Sequence, residues 1–212
     1  MMSKPMLYTK PELAPRSREE IFKLIKQTVF GTLVTTTPHG FAITHTVFEL
    51  LADESPHGTL VFHLALKNEH VPFLTEGLPS VAIFLGQSGY ISPSWYPRSP
   101  ARDSAPTWNY EVAHCHGRPE RITKEAMASH VGRLVNAMES GRTDRWQMGE
   151  LGGDGISRRL DSIAGFRMPI AQLDAKFKMG QDERPADTKA AILELTPDNP
   201  HLAGAMRERN GD

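Results

Sequence analysis

"FGTLVTTTPHGFAITHTVFELLADESPHGTLVFHLA", residues 30–65, is the stretch that decides the fold. Runs of β-branched and aromatic residues alternate in it with the turn sequences "PHG" and "ESPHG". Such runs, bounded by Pro, Gly and short polar segments, are typical of consecutive antiparallel strands. The stretch therefore predicts three strands, at 30–37, 41–52 and 59–65, joined by tight turns.

Further strands are predicted on the C-terminal side of this stretch. They are "SVAIFLG" (80–86), "WNYEVAHCHGRPERI" (108–122) and "AGFRMPIAQL" (164–173). Several strands at this spacing are typical of a barrel or a sandwich.

Helices are predicted around these strands. Ser17 and Glu20 form a capping-box pattern at the start of "SREEIFKLIKQ". The periods of "KEAMASHVGRLVNAME" (124–139) and "ISRRLDSI" (156–163) are also helical, with "GELGGDG" as a flexible loop between them. Pro5, Pro11 and Pro15 predict an extended N-terminal arm.

The amino-acid composition indicates the structural class of the protein. The 212 residues are 39% hydrophobic and 23% charged, which is ordinary globular usage. We predict one domain over residues 1–195, with the N-terminal arm, and a disordered C-terminal tail over 196–212.

Net charge and cysteine content indicate which binding partners and which cellular compartment to expect. A formal net charge of -1 counts against nucleic acid as a partner. A single cysteine, no long apolar run and no signal-peptide pattern predict a cytoplasmic protein that does not contact a membrane.

Two histidines lie in the three strands predicted within residues 30–65. His45 shares strand parity with Phe41, Ile43 and Val47, and His63 lies in a strand that is apolar on both faces. A buried neutral imidazole is a good metal or haem ligand, but it is also common as a hydrogen-bonded core residue. Both interpretations stay open from the residues alone.

Lys67 and Glu69 follow the end of the third strand. Two residues apart, they would project to the same side if the chain stayed extended, as an acid and base pair facing one substrate would. The alternative is a solvated turn with a weak surface pair.

An unusual number of aromatic side chains follows residue 89. Tyr90 and Trp95 lie in "GYISPSWYP", and Trp108 lies in "APTWNYEVAHCHG". Aromatic residues in a loop leave apolar surface in water unless they line a pocket or pack together. The pattern predicts either a pocket wall for a flat ligand or a satellite hydrophobic cluster.

These two segments, together with "SIAGFRMPI" (162–170) and "KFKMGQD" (176–182), resemble the PaiB family of FMN-binding transcriptional regulators, from about Leu7 to about Arg184. The resemblance implies an FMN-binding split barrel of mixed, mainly β class: an antiparallel six-stranded type of barrel with flanking helices. It also implies a homodimer with cofactor sites near the subunit interface.

The chain departs from the family pattern just after His63. Leu66, Lys67 and Glu69 stand where the family is expected to have Arg, Ala and Pro. Loss of an arginine suited to phosphate weakens the case for FMN. In this respect the chain resembles a haem-binding branch of the family, the piperazate synthases, which form a nitrogen–nitrogen bond in side-chain N-hydroxylated L-ornithine.

This second resemblance implies haem b as the cofactor, with FMN as the alternative. His63 is then the axial iron ligand and His45 the second choice, while Lys67 and Glu69 carry the proton transfers. We assign Tyr90, Trp95 and Trp108 to cofactor binding.

Two other functions compete with this one. The first is an FMN- or haem-binding regulator without catalysis. The second is a flavin oxidoreductase, which would need a phosphate-binding set such as Arg98, Arg102 and Lys178.

Overall fold

The computed structural model describes residues 6–99 and 101–211. Seven strands are present: β1 Phe30–Thr37, β2 Gly40–Leu51, β3 Thr59–Ala65, β4 Ser80–Ile91, β5 Thr107–Gly117, β6 Glu120–Arg121 and β7 Ile163–Lys178. Six α-helices accompany them: α1 Arg18–Thr28, α2 Val71–Thr75, α3 Lys124–Glu139, α4 Gly152–Leu160, α5 Pro185–Leu195 and α6 Pro200–Asn210.

The strands form one antiparallel sheet in the order β3-β2-β1-β4-β5-β7-β6. A further pairing of β3 with β7 closes six of the strands into a ring, and β6 adds to β7. The predicted antiparallel barrel with flanking helices is therefore confirmed.

The predicted three-strand stretch is also confirmed. The bounds of β1 and β3 agree with the prediction, and β2 differs from it by one residue at each end. β1 pairs with β2 along its whole length, from Phe30 opposite Val47 to Thr37 opposite Gly40. Gly40 has a φ of 119°, which a residue with a side chain rarely adopts, so the "PHG" turn depends on this glycine.

Two compact units make up the chain. Unit one contains the described residues up to Thr28, Phe84–His114 and those from Asp174 onward; unit two contains Val29–Ile83 and Cys115–Leu173. Because β4, β5 and β7 each contribute residues to both units, the single domain over residues 1–195 stays a prediction.

Unit two is centred on a row of three phenylalanines. Phe48 pairs with Phe62 across β2 and β3, and Phe62 pairs with Phe166 across β3 and β7. Their ring centroids are 5.1 and 5.7 Å apart, and all three side chains are buried. This row fixes which face of β3 is turned to the core.

Unit one has its own apolar core, formed by the end of β4 and by α5 and α6. Its buried members include Ile91, Tyr96, Met179, Ile192, Leu202 and Met206.

The C-terminal tail is helical over much of its length, so the prediction of disorder for 196–212 was wrong at α6. The side chain of Asn199 caps the helix by accepting from the amide of Leu202 at 3.1 Å. Leu202 and Met206 are buried, and Arg209 donates to Glu20 of α1 at 2.7 Å. Packing within unit one therefore orders a segment whose own periodicity is weak.

Other boundaries differ from the prediction as well. The "GELGGDG" segment is a 3-10 turn, Met148–Leu151, followed by the start of α4, rather than a flexible loop. β4 and β7 are both longer than the apolar segments 80–86 and 164–173 from which they were predicted. The N-terminal arm begins with residues 1–5, which lie outside the described residues.

No helix in residues 6–99 and 101–211 combines the length and the apolar character needed to span a membrane.

His70 precedes α2 at its N-cap position, and its ring is buried in a directional chain of hydrogen bonds. Ser80 Oγ donates to the carbonyl of Leu78, so Thr35 must donate its hydroxyl to Ser80. Thr35 then accepts from His70 Nε2 at 2.7 Å, and His70 Nδ1 accepts from Thr44 at 2.9 Å. His70 Nε2 therefore carries a proton, burial favours the neutral ring because it lowers the pKa of His70, and both ring nitrogens have a partner.

We predict that His70 makes the free energy of unfolding depend on pH. Burial lowers its pKa below the ordinary value of 6.5, so just below that pH the unfolded chain binds a proton that the folded chain does not. His70 should therefore stabilise the fold less as pH falls. Urea unfolding from about pH 5 to about pH 8 should show a shallower pH dependence for His70→Gln.

The His70→Gln variant should also be about 1–3 kcal/mol less stable at neutral pH, since buried hydroxyls lose a partner. Identical pH dependences in the two proteins would contradict this role of His70.

Candidate functional site

β2, β3 and α3 bring four polar side chains together in unit two. Glu49 pairs with Val61 across β2 and β3. Because side chains alternate along a strand, His63, two residues after Val61, lies on the same face as Glu49. α3 lies against this face and contributes His130 and Arg133.

These four residues form a linear chain of hydrogen bonds, which we call the histidine–carboxylate chain. His63 Nδ1 lies 3.2 Å from His130 Nε2, and His130 Nδ1 lies 2.8 Å from Glu49 Oε2. Arg133 donates to the same carboxylate in a bidentate manner, from Nε to Oε1 and from Nη2 to Oε2 at 3.0 Å.

The direction of these bonds fixes the tautomer of both imidazoles. An ionised carboxylate only accepts, so His130 donates its Nδ1 proton to Glu49. The Nε2 of neutral His130 must then accept, and His63 donates its Nδ1 proton to it. His63 is left with a lone pair on Nε2.

Burial and charge favour this protonation pattern. Burial lowers the pKa of His63, and the neighbouring His130 lowers it further. Burial also lowers the pKa of His130, against the opposing effect of Glu49. For Glu49, burial raises the pKa, but the hydrogen bonds from Arg133 and His130 outweigh it, so its pKa lies below the ordinary value.

The close approach of α3 to β3 depends on a glycine. Gly165 lies opposite His63 on β7, and a Cβ there would lie 2.9 Å from Cγ1 of Ile122 and 3.0 Å from Cγ of Met127. Met127 is one helical turn before His130, and both side chains are buried. A residue with a side chain at position 165 would therefore require the side chains of Ile122 and Met127 to shift, and Met127 packs beside His130 on α3.

His63 Nε2 is the open end of the histidine–carboxylate chain. The ring is half-buried, and within the described residues no side chain or backbone group hydrogen-bonds to this nitrogen. A neutral imidazole with a free lone pair could hold haem iron, for which the porphyrin would supply the remaining nitrogen ligands, or it could act as a base. In the described part of the chain, no group of three His, Cys, Asp or Glu side chains could hold a bare metal ion.

His45, the second choice as ligand, lies on β2 outside this chain. Its ring is exposed, lies 3.0 Å from Thr32 Oγ1 and contacts Phe30 with ring centroids 6.2 Å apart. Phe41 and Ile43 on the same face are also exposed. The face that the sequence marks as apolar is therefore open in the single chain, and the predicted homodimer stays a prediction.

Lys67 and Glu69 lie on the turn after β3, where both are exposed. The chain does not stay extended there, because the amide of Asn68 donates to Ala65 and the amide of Val71 donates to Asn68. The extended conformation on which the same-side argument depends is therefore not present. Their assignment as catalytic groups is left as a prediction.

Tyr90, Trp95 and Trp108 are neighbours in unit one. The ring of Tyr90 lies 6.5 Å from that of Trp95 and 6.4 Å from that of Trp108, both in edge-on orientations. Trp95 packs partly on the unit-one core, whereas Tyr90 and Trp108 are about half exposed. The cluster thus has an open aromatic side, and its role in cofactor binding stays a prediction.

Comparison with known proteins bears on the cofactor. The sequence profile of a family described as "Putative FMN-binding domain" matches residues 7–172. The chain belongs to this FMN-binding family. The "Protease synthase and sporulation protein PAI 2" of Bacillus subtilis is 26% identical over 190 residues, which are 90% of this chain and 89% of that protein. The resemblance to PaiB proteins is thereby confirmed.

Solved structures support the same fold. The FAD and heme binding protein from Mycobacterium smegmatis has a TM-score of 0.59 at 18% identity, covering 84% of this chain and 78% of that one. The flavocytochrome Anf3 from Azotobacter vinelandii has a TM-score of 0.59 at 15% identity, covering 80% and 72%. At these identities the likeness shows the split-barrel fold alone.

Membership in the FMN-binding family raises the question of a phosphate site. Leu66 stands in place of the expected arginine and is exposed. In unit one, Arg102 donates to the carbonyls of Tyr96 and Ser94 at 3.0 and 2.8 Å. Lys178 donates to Thr107 and Asn109 at 3.2 Å each, while Arg98 is exposed. Two of the three candidate cations are therefore already engaged within the protein.

Sequence reasoning missed Glu49, His130 and Arg133. Signals for the first two were present: Glu49 interrupts the apolar run "VFELL", and His130 lies three residues after Met127 on the buried stripe of α3. Neither signal says that the two side chains meet, because their contact depends on how α3 packs.

We predict that His63 and His130 are neutral Nδ1–H tautomers in the folded protein. Nitrogen-15 NMR of the labelled apoprotein should show protonated Nδ1 and lone-pair Nε2 on both rings, and both should titrate below 6.5 because burial lowers their pKa. The exposed His45 serves as the comparison within the same spectrum. A protonated Nε2 on His63 would contradict the derived order of hydrogen bonds.

Proposed function

We propose that this protein is a haem-dependent cyclase that converts side-chain N-hydroxylated L-ornithine to L-piperazic acid. The observation that carries the proposal is the lone pair of His63 Nε2, held free by the hydrogen bond from Nδ1 to His130. Haem b is the proposed cofactor, and His63 would hold its iron.

Relatives of the same fold support haem as a candidate. One of the solved structures named above is a FAD and heme binding protein, and another is a flavocytochrome. The residues present also fit haem better than FMN: a half-buried neutral imidazole is free, whereas Leu66 replaces a phosphate-binding arginine.

The proposed reaction is balanced without an external oxidant or reductant. A bond forms between the α-nitrogen and the side-chain nitrogen, and the N–O bond of the hydroxylamine breaks. The α-amine loses one proton and the leaving oxygen gains one, so one water is released. Haem iron, when bound, would supply a Lewis acid that polarises the N–O bond.

Lys67 and Glu69 are the proposed groups for the two proton transfers. They follow His63 by four and six residues on a turn that is fixed by backbone hydrogen bonds, and both are exposed. One removes the proton from the α-nitrogen and the other protonates the leaving oxygen.

The competing function is an FMN- or haem-binding regulator, and the description of the family favours FMN for it. A flavin-dependent oxidoreductase of the same fold would use the same cofactor. A DNA-binding regulator would be expected to present a basic face, whereas the chain has a net charge of -1.

We predict that the purified protein takes up haem and shows a Soret band. His63→Ala should abolish the imidazole-ligated spectrum, while His45→Ala, a histidine on the exposed face, should leave it unchanged. Absorption spectra after haem titration measure this. Flavin bands without haem uptake would refute the synthase function, and loss of the spectrum only in His45→Ala would reverse the ligand assignment.

We also predict that Lys67→Ala and Glu69→Ala keep haem but lower turnover by about 10²–10⁴-fold, the usual contribution of general acid–base catalysis. Mass spectrometry of piperazic acid formed from N-hydroxylated ornithine measures turnover. Lys26→Ala and Glu76→Ala, at other exposed positions, are matched controls. Full activity in both test variants would make the segment an ordinary solvated turn.

A further inference from the structure

The histidine–carboxylate chain connects His63 to a charged pair near the surface. We propose that Glu49 and Arg133 are positioning residues that set, through His130, how strongly His63 donates electrons to haem iron, and that they do so in opposite directions. This inference rests on the proposed function only in that His63 is taken as the iron ligand.

Glu49 acts by orienting His130. With its Nδ1 proton donated to the carboxylate at 2.8 Å, His130 presents only a lone pair to His63. A hydrogen bond from the second nitrogen of a ligating histidine fixes its ring and raises its basicity. Glu49 also increases the electron density on His130, which makes His130 a stronger acceptor for His63.

Arg133 acts on the same carboxylate from the opposite side. It pairs with both oxygens of Glu49, and its side chain is half exposed whereas Glu49 is 14% exposed. The guanidinium draws negative charge away from the Glu49 carboxylate oxygen that accepts from His130. Arg133 therefore weakens the effect that Glu49 exerts on His63.

The directions in which the Glu49 and Arg133 variants shift the properties of the haem iron distinguish a tuning role from a merely structural one. If the pair only held α3 in place, removing either partner would loosen the same contact, and both variants would change the haem site in the same direction. If the chain tunes His63, neutralising the carboxylate and neutralising the guanidinium must shift the iron in opposite directions.

The test compares Glu49→Gln with Arg133→Gln in the haem-loaded, full-length protein. We expect Glu49→Gln to shift the midpoint reduction potential to more positive values, to lower the iron–histidine stretching frequency in resonance Raman spectra, and to weaken haem affinity about 10- to 100-fold. We expect Arg133→Gln to shift the potential and the frequency the other way.

A matched control is available at the end of the same helix. Glu139 and Arg142 form a surface ion pair with a distance of 3.4 Å and do not contact the histidine–carboxylate chain. Glu139→Gln and Arg142→Gln should leave the potential and the stretching frequency unchanged.

A second measurement does not depend on a buried carboxylate variant folding well. In His63→Gly, added imidazole can replace the lost ring and still donate to His130, whereas 1-methylimidazole cannot. We expect imidazole to restore a potential near that of the parent protein and 1-methylimidazole to give a more positive one.

The outcomes distinguish the two levels of the proposal. If His63→Gly binds haem as the parent protein does without added ligand, the ligand assignment fails. If His63 holds the haem, either shifts of the same sign in Glu49→Gln and Arg133→Gln, or equal potentials with the two imidazoles, overturn the tuning role alone.

Discussion

The pairing register of β3 between β2 and β7 is the constraint on which the rest of unit two depends. Phe48, Phe62 and Phe166 lie side by side across three strands and bury their rings together. Because side chains alternate with a period of two, this row turns His63 to the opposite face. A slip of one residue in the register of β3 would exchange its two faces. It would place the imidazole of His63 in the aromatic core and the ring of Phe62 beneath α3.

Much of the fold could be predicted from local patterns, for reasons that the strands make clear. The turns that join β1, β2 and β3 contain Gly, Pro and polar residues, so the sequence predicts where these strands end. β7 continues to Lys178, well past the apolar run in "AGFRMPIAQL", and it has β5 as a hydrogen-bonded neighbour in the sheet, which no local pattern specifies. α6 is ordered by burial of Leu202 and Met206 and by the ion pair of Arg209, which are tertiary contacts that no local pattern specifies.

The candidate site was predictable only at its open end. His63 stands out because an imidazole in an apolar strand must be satisfied or functional. Its partner His130 lies 67 residues away on a helix, and Glu49 lies on a different strand, so their meeting depends on how α3 packs on β2 and β3. The sequence argument for Lys67 and Glu69 assumed an extended chain. Asn68 instead closes a turn there through its backbone and its side chain, and composition alone does not reveal this turn.

Three histidines of unit two, His63, His70 and His130, show how structural and functional imidazoles differ. His70 bonds to a threonine hydroxyl at each nitrogen, and His130 bonds at each nitrogen too, so burial of these rings leaves no group unsatisfied. His63 has a fixed proton on one nitrogen and a lone pair on the other. An ionised glutamate, an arginine and a second histidine are all arranged to hold it in that state, which is the condition that an external ligand for His63 Nε2 requires.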